Sequence, residues 1–130
     1  MENNRLYKRE KLCSRTAIAH TFACGHSVMA YPLRAVYSLG PSRPEAPARF
    51  MISIPKKKIH TAVERVALRR RTREAYRLNR RLLLPALEAA GRSIDVAFVY
   101  LAKDETAPYA VIEEKMRHIL TRLAQAAHDD

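Results

Sequence analysis

Acidic residues are scarce in this chain. Its 130 residues carry 13 Asp and Glu against 24 Lys and Arg, a formal net charge of +11 with a pI near 10.2. So large an excess repels itself in a compact state unless a polyanion is bound, which points to nucleic acid first and an anionic membrane second. Long apolar runs are also missing, and none approaches the roughly 18–20 residues that span a bilayer. The opening MENNRLYKRE lacks the apolar stretch of a signal peptide, so the expected location is the cytoplasm. Cysteine is limited to Cys13 and Cys24, expected as inert thiols of a reducing compartment. Cys13, His20, Cys24 and His26 could be drawn around zinc, but they form no CxxC or HxxxH clamp, and no metal site is expected. Histidines 20, 26, 60, 118 and 128 are scattered and no paired carboxylates accompany the basic region, so no protein catalyst is expected.

What is present suits one domain spanning residues 1–130, with a basic N-terminal segment over 1–12 and a tail over 121–130. Ser14 can cap a short helix ending before Gly25, with Ile18 and Phe22 one turn apart on its inner side. Strands are expected over 27–31 and 33–39. In the second, Leu33, Ala35, Tyr37 and Leu39 alternate against Arg34 and Ser38, and Pro32 between the two strands marks a kink or an edge. The proline-rich stretch 40–48 is a loop, and a third strand follows over 49–54. From Pro55 a helical pattern reaches about Leu84, where Pro85 breaks it. The stretch 94–101 is apolar on both faces and predicts a central strand. Thr106 and Pro108 open a last helix whose buried stripe is Ile112, Met116, Ile119, Leu120, Leu123 and Ala127. The order α-β-β-β-α-β-α predicts an α+β sandwich, a four-stranded sheet packed with helices.

The middle helix concentrates the charge. Residues 56–81 hold Lys56, Lys57, Lys58, Arg65, Arg69, Arg70, Arg71, Arg73, Arg77, Arg80 and Arg81 against Glu64 and Glu74, a net +9. With Arg65 at zero and about 100° per residue, the run from Arg69 through Arg80, Arg73, Arg77 and Arg70 to Arg81 spans roughly 40° to 160°. Ala67, Leu78, Leu82, Ala75 and Leu68 fall between roughly 200° and 300°, with Arg71 among them near 240°. One side is a guanidinium surface and the other a packing stripe. A merely solvated face would mix signs with Glu–Lys pairs four apart, which this helix does not do. A membrane-surface helix would leave its apolar side exposed, but here that side is needed to cover the sheet. A DNA reader would offer base-reading side chains early in a groove-entering helix, whereas only Asn79 is available, and late. Polyanion binding is the expectation, with RNA or DNA as the partner.

At these residues a resemblance enters. The stretch SIPKKKIHTAVERVALRRRTREAYR, residues 53–77, resembles the signature of the bacterial ribonuclease P protein, and YKRE and KLC near the start, residues 7–13, are similar to its Bacteroidetes variant. Lys56 and Lys57 match that family's paired lysines, Ala62 and Val63 its Ala-Val, and Arg65 its first Arg. Arg69 and Arg70 match its Lys-Arg, and Arg73, Glu74 and Ala75 its Arg-Glu-Ala. Phe22, Gly25 and Ser27 are similar to its Phe-x-x-Gly-x-Ser, and YPLRAVY to its second strand. Three positions depart: Val66 and Ala67 replace an Asn-Arg pair, Arg71 stands where an apolar residue packs, and Pro55 replaces a serine.

The resemblance implies a split β-α-β unit with a left-handed crossover, and a subunit of ribonuclease P, an endoribonuclease whose catalyst is RNA. It implies two partners, ribonuclease P RNA and precursor tRNA, with Mg2+ held mainly by the RNA and a monomeric protein outside the complex. The catalytic RNA is expected on Lys56, Lys57, Lys58, Arg65, Arg69, Arg70, Arg73 and Arg77. The single-stranded 5′ leader is expected in a cleft between the first helix and the sheet, on Lys8, Arg9, Lys11, Phe22, Tyr31, Arg34 and Tyr37. His60 is read as a phosphate contact or surface residue. The alternative is a non-catalytic RNA- or ribosome-binding domain of the same architecture.

Overall fold

The computed structural model describes residues 6–129; residues 1–5 of the expected N-terminal segment, and Asp130, lie outside the described residues. Ser14 starts the first helix as expected. Its Oγ accepts the Ala17 amide at 3.3 Å, and α1 runs Arg15–Ala23. Gly25, at φ +74°, then turns the chain into β1, His26–Ala30. Strands β2 (Leu33–Pro41), β3 (Ala48–Ser53) and β4 (Arg92–Tyr100) complete one sheet in the order β1-β2-β4-β3. β4 is antiparallel to β2 and parallel to β3. It is therefore central, which is why it must be apolar on both faces. β3 and β4 pair directly, so the expected split is absent and the β-α-β unit closes on adjacent strands.

The connecting helix α2 (Ala62–Asn79) starts later than the pattern from Pro55 predicts. The lysines form a turn instead, in which the Pro55 carbonyl accepts the amides of Lys58 and Ile59 at 3.0 and 3.1 Å, while buried Ile59 pins the turn to the core. At its other end, α2 gives way to a 3-10 turn at Arg80–Leu82. A helix not expected from the sequence follows, α3 (Leu84–Ala90). Pro85 lies in its first turn, where the missing amide costs nothing, so that proline opens a helix rather than only ending one. Gly91, at φ +65°, closes α3 in the left-handed region and sends the chain straight into β4. α4 is Tyr109–Asp129 and buries all six residues of the expected stripe. The stretch from 121 set apart as a tail is instead the end of α4, with Leu123 and Ala127 buried. No helix of the described residues is long and apolar enough to cross a membrane.

Strand register sorts the side chains. Leu33, Ala35, Tyr37 and Leu39 share one sheet face with Phe50, Val96, Phe98 and Tyr100, and α2, α3 and α4 cover it. The opposite face carries Met29, Arg34, Val36, Ser38, Met51, Asp95, Ala97 and Val99. α1 packs across part of that face with Thr21, not Phe22, turned inward. Thr21 Oγ1 satisfies the Ala17 carbonyl at 2.8 Å and lies 3.4 Å from Ser38 Oγ, so a small polar side chain fits there at no cost. Phe22 is left 44% exposed on the helix flank.

Asp95 ties the start of β4 to the neighbouring strand and loop. Its carboxylate accepts Arg49 Nε and Nη2, each at 2.9 Å, and Arg43 Nη2 at 3.0 Å. Burial alone would push this carboxyl up, but the Arg49 hydrogen bonds and the two guanidinium charges hold it below the ordinary Asp range. A depressed carboxyl stabilises the fold above the unfolded-state value and loses that contribution as pH falls through the folded one. Asp95→Asn should therefore cost about 2 kcal/mol at neutral pH. In urea unfolding titrations, the gap between the variant and the parent should close as pH drops below about 4.

Candidate nucleic-acid interface

The roll of α2 decides which cations reach solvent. Its buried residues are Leu68, Thr72, Ala75, Tyr76 and Asn79. On the same wheel they centre near 320°, roughly 70° from the centre of the predicted stripe. Ala67, Leu78 and Leu82 are only partly buried. Tyr76 accounts for the rotation. It is completely buried, with ring centroids 4.5 Å from Phe50 and 5.6 Å from Phe98. Its hydroxyl has no hydrogen-bond partner among the described residues, and burial raises its pKa well above the ordinary tyrosine range. Thr72 and Asn79 can be buried because each returns a hydrogen bond to its own helix, to the Leu68 and Ala75 carbonyls, both at 2.8 Å.

The basic residues divide into two groups. Several are committed to the fold. Arg65 Nη1 donates to the Ile59 and His60 carbonyls at 2.9 and 2.7 Å, and the Asp104 amide holds the Lys58 carbonyl at 2.8 Å, so the lysine turn is braced from both sides. Arg71, expected on the apolar stripe, swings to the Ala107 carbonyl at 2.8 Å. Arg77 pairs with Glu74, holding that carboxyl below its ordinary range, and Arg80 pairs with Glu10 at 2.7 Å. Lys56, Lys57, Arg69, Arg70 and Arg73 are exposed, and none of the five forms a hydrogen bond or ion pair among the described residues. These are the charges available to an anion. Val63 and Val66 stand 76% and 44% exposed at the start of α2, an apolar patch beside Arg70.

The residues expected to hold a leader do not converge. Arg34 is exposed on the open end of the α1 face, near Met29, which is 59% exposed. Tyr31 is exposed in the turn between β1 and β2. Tyr37 lies on the other face, as strand alternation requires, with its ring stacked on His26 at 5.6 Å and bordering Ala126 of α4. Arg9 sits over the Tyr7 ring at 4.4 Å, in a recess with Arg80, Arg81 and Pro47, and Lys8 belongs to the same 3-10 turn. Lys11 bridges to Phe50 at the outer edge of β3, where Arg69 and Arg73 line the same groove.

Tyr109 was not expected at the site, and Arg71 was expected only on the packing stripe. They line a groove of about 530 Å³ between α2 and the start of α4, together with Arg70, Arg73, Glu74 and Arg77. Nothing in periodicity reveals that those two helix segments meet. Among the described residues no three His, Cys, Asp or Glu side chains gather to hold a metal ion. His60 Nε2 lies 3.8 Å from Asp104 Oδ1, both exposed.

A mixed four-stranded sheet, backed by a helix that directs uncommitted arginines to solvent, defines an α+β protein with a polyanion-binding surface. The chain belongs to the Ribonuclease P family, whose model matches residues 6–124. The ribonuclease P protein component of Porphyromonas gingivalis is 36% identical over 119 residues, covering 92% of this chain and 86% of the relative. That of Chlorobaculum tepidum is 30% identical over 128 residues, covering 92% and 83%. Solved structures of RNase P proteins share the fold. The Staphylococcus aureus RNase P protein superimposes with a TM-score of 0.66 at 18% identity, covering 87% of this chain and 94% of that one. The Thermotoga maritima protein gives 0.64 at 20% identity, covering 87% and 96%.

The division among the arginines has a measurable consequence. Arg65→Met should speed amide exchange at Lys58 and Ile59 by about tenfold or more, because it frees the braced turn. Arg70→Met should leave stability within about 0.5 kcal/mol of the parent. Hydrogen exchange and urea titration check the pair.

Proposed function

We propose that this chain is the protein subunit of ribonuclease P, binding the catalytic RNA and the 5′ leader of precursor tRNA while the RNA cleaves. The observation that supports this reading best is the uncommitted cation surface of Lys56, Lys57, Arg69, Arg70 and Arg73. Guanidinium groups take phosphate oxygens in pairs, and each phosphate neutralised releases counterions. Arg65 and Arg77 serve that surface indirectly, one by bracing the lysine turn and the other by neutralising Glu74.

The leader is assigned to the open end of the α1 face. Arg34 supplies charge there, with Phe22 and Tyr31 as exposed aromatic surfaces at its margins. Tyr37 faces the helices, and a strand on the Arg34 face could not reach it. Lys11, Arg69 and Arg73 meet in one groove at the β3 edge, which extends the basic surface of α2 toward the sheet. With no carboxylate cluster on the described protein surface, the Mg2+ ions of the reaction are assigned to the RNA, where they would activate the attacking water. The protein acts as a monomer in this scheme, raising substrate affinity and relieving phosphate repulsion, which lowers the Mg2+ requirement.

Added to ribonuclease P RNA at low Mg2+, the protein should restore cleavage of precursor tRNA; an RNA-binding domain with another role would bind yet leave cleavage unchanged. Arg69→Ala combined with Arg70→Ala should flatten the dependence of log K on log salt by about one unit per lost phosphate contact. Arg34→Ala should weaken precursor tRNA binding several-fold while leaving mature tRNA untouched, and Tyr37→Phe should affect neither; filter binding with both RNAs decides it.

A further inference from the structure

We infer that the groove between α2 and the start of α4 receives one unstacked nucleotide of the partner RNA, its phosphate against Arg70 and Arg73 and its base against Tyr109. The inference rests on the RNA-subunit reading and adds a base contact that a purely electrostatic grip would lack.

Four guanidinium groups line the groove against one carboxylate, and that carboxylate, Glu74, is already bonded to Arg77. The recess is therefore cationic. Arg70 and Arg73 are the two members with no hydrogen bond or ion pair among the described residues, so they can take a phosphate without breaking an internal contact. The other walls are fixed. Arg71 is anchored on the Ala107 carbonyl at 2.8 Å, and the Tyr109 hydroxyl meets Glu113 Oε2 at 3.2 Å. The ring is half-buried and held at its far end, so presenting it to a ligand costs little conformational entropy.

The size suits the assignment. About 530 Å³ lies within the roughly 300–1,000 Å³ of small-ligand sites, room for a nucleotide and too little to enclose a duplex. Unpaired RNA bases pack on aromatic rings and on guanidinium planes, and this groove offers both beside its phosphate-binding arginines. An acidic peptide would use the charges but would leave the planar surfaces idle.

Stacking and phosphate contacts respond differently to salt, which makes the inference testable. Kd for ribonuclease P RNA is measured over a KCl series for the full chain and for Tyr109→Leu and Tyr109→Phe. The leucine variant should bind about 5- to 100-fold more weakly at every salt concentration with an unchanged slope, and the phenylalanine variant should stay close to the parent. In parallel, the unmodified complex is irradiated at 254 nm and digested, and a nucleotide adduct is expected on the peptide containing Tyr109. That arm does not depend on any variant folding. Full RNA binding by the leucine variant, or no adduct in a complex that forms and supports cleavage, would overturn the groove assignment while leaving the subunit reading intact. Failure of the unmodified chain to bind this RNA would overturn both.

Discussion

The rotation of α2 about its own axis is set by Tyr76, closed between Phe50 of β3 and Phe98 of β4, and the direction of every cation on the helix follows from it. A large ring cannot be turned out of that slot without opening a cavity that costs several kcal/mol, so the roll is rigid. Around it Leu68, Thr72 and Ala75 complete the contact, and the arginines between them have no freedom to choose a side. The surface offered to an anion is thus a by-product of how the core is filled.

One helix performs two jobs with one residue type. Arg65, Arg71 and, just past its end, Arg80 answer carbonyls or a carboxylate within the protein, whereas Arg69, Arg70 and Arg73 answer nothing among the described residues. The second set, standing side by side, destabilises the isolated chain by mutual repulsion, and the apolar burial beneath α2 offsets it. Binding a polyanion relieves that repulsion, so the fold and the complex are thermodynamically linked.

Much of this was legible in the residues. α4 follows helical periodicity so strictly that its six buried positions could be named, and the two-sided apolar run of β4 announced a central strand. The roll of α2 was not legible because Thr72 and Asn79 count as polar on any hydropathy wheel, yet both are buried with their hydrogen bonds satisfied locally. α3 escaped notice because seven residues led by a proline look like a break. At the candidate site, the uncommitted arginines were visible as a charge arc, but the scatter of the leader residues was not. Arg9 and Tyr37 are placed by long-range packing, one beside Arg80 and one beside α4.

The strand order β1-β2-β4-β3 carries a consequence for the growing polypeptide on the ribosome. β4, which spans residues 92–100, separates β2 from β3, so neither strand can complete its ladder until nearly four-fifths of the chain has been made. Through that interval the arginine-rich stretch has already been synthesised but has no finished sheet to lie on. Until β4 slots between them, the facing edges of β2 and β3 stay unpaired, and the charges of the basic stretch have no apolar burial beneath them to offset their repulsion.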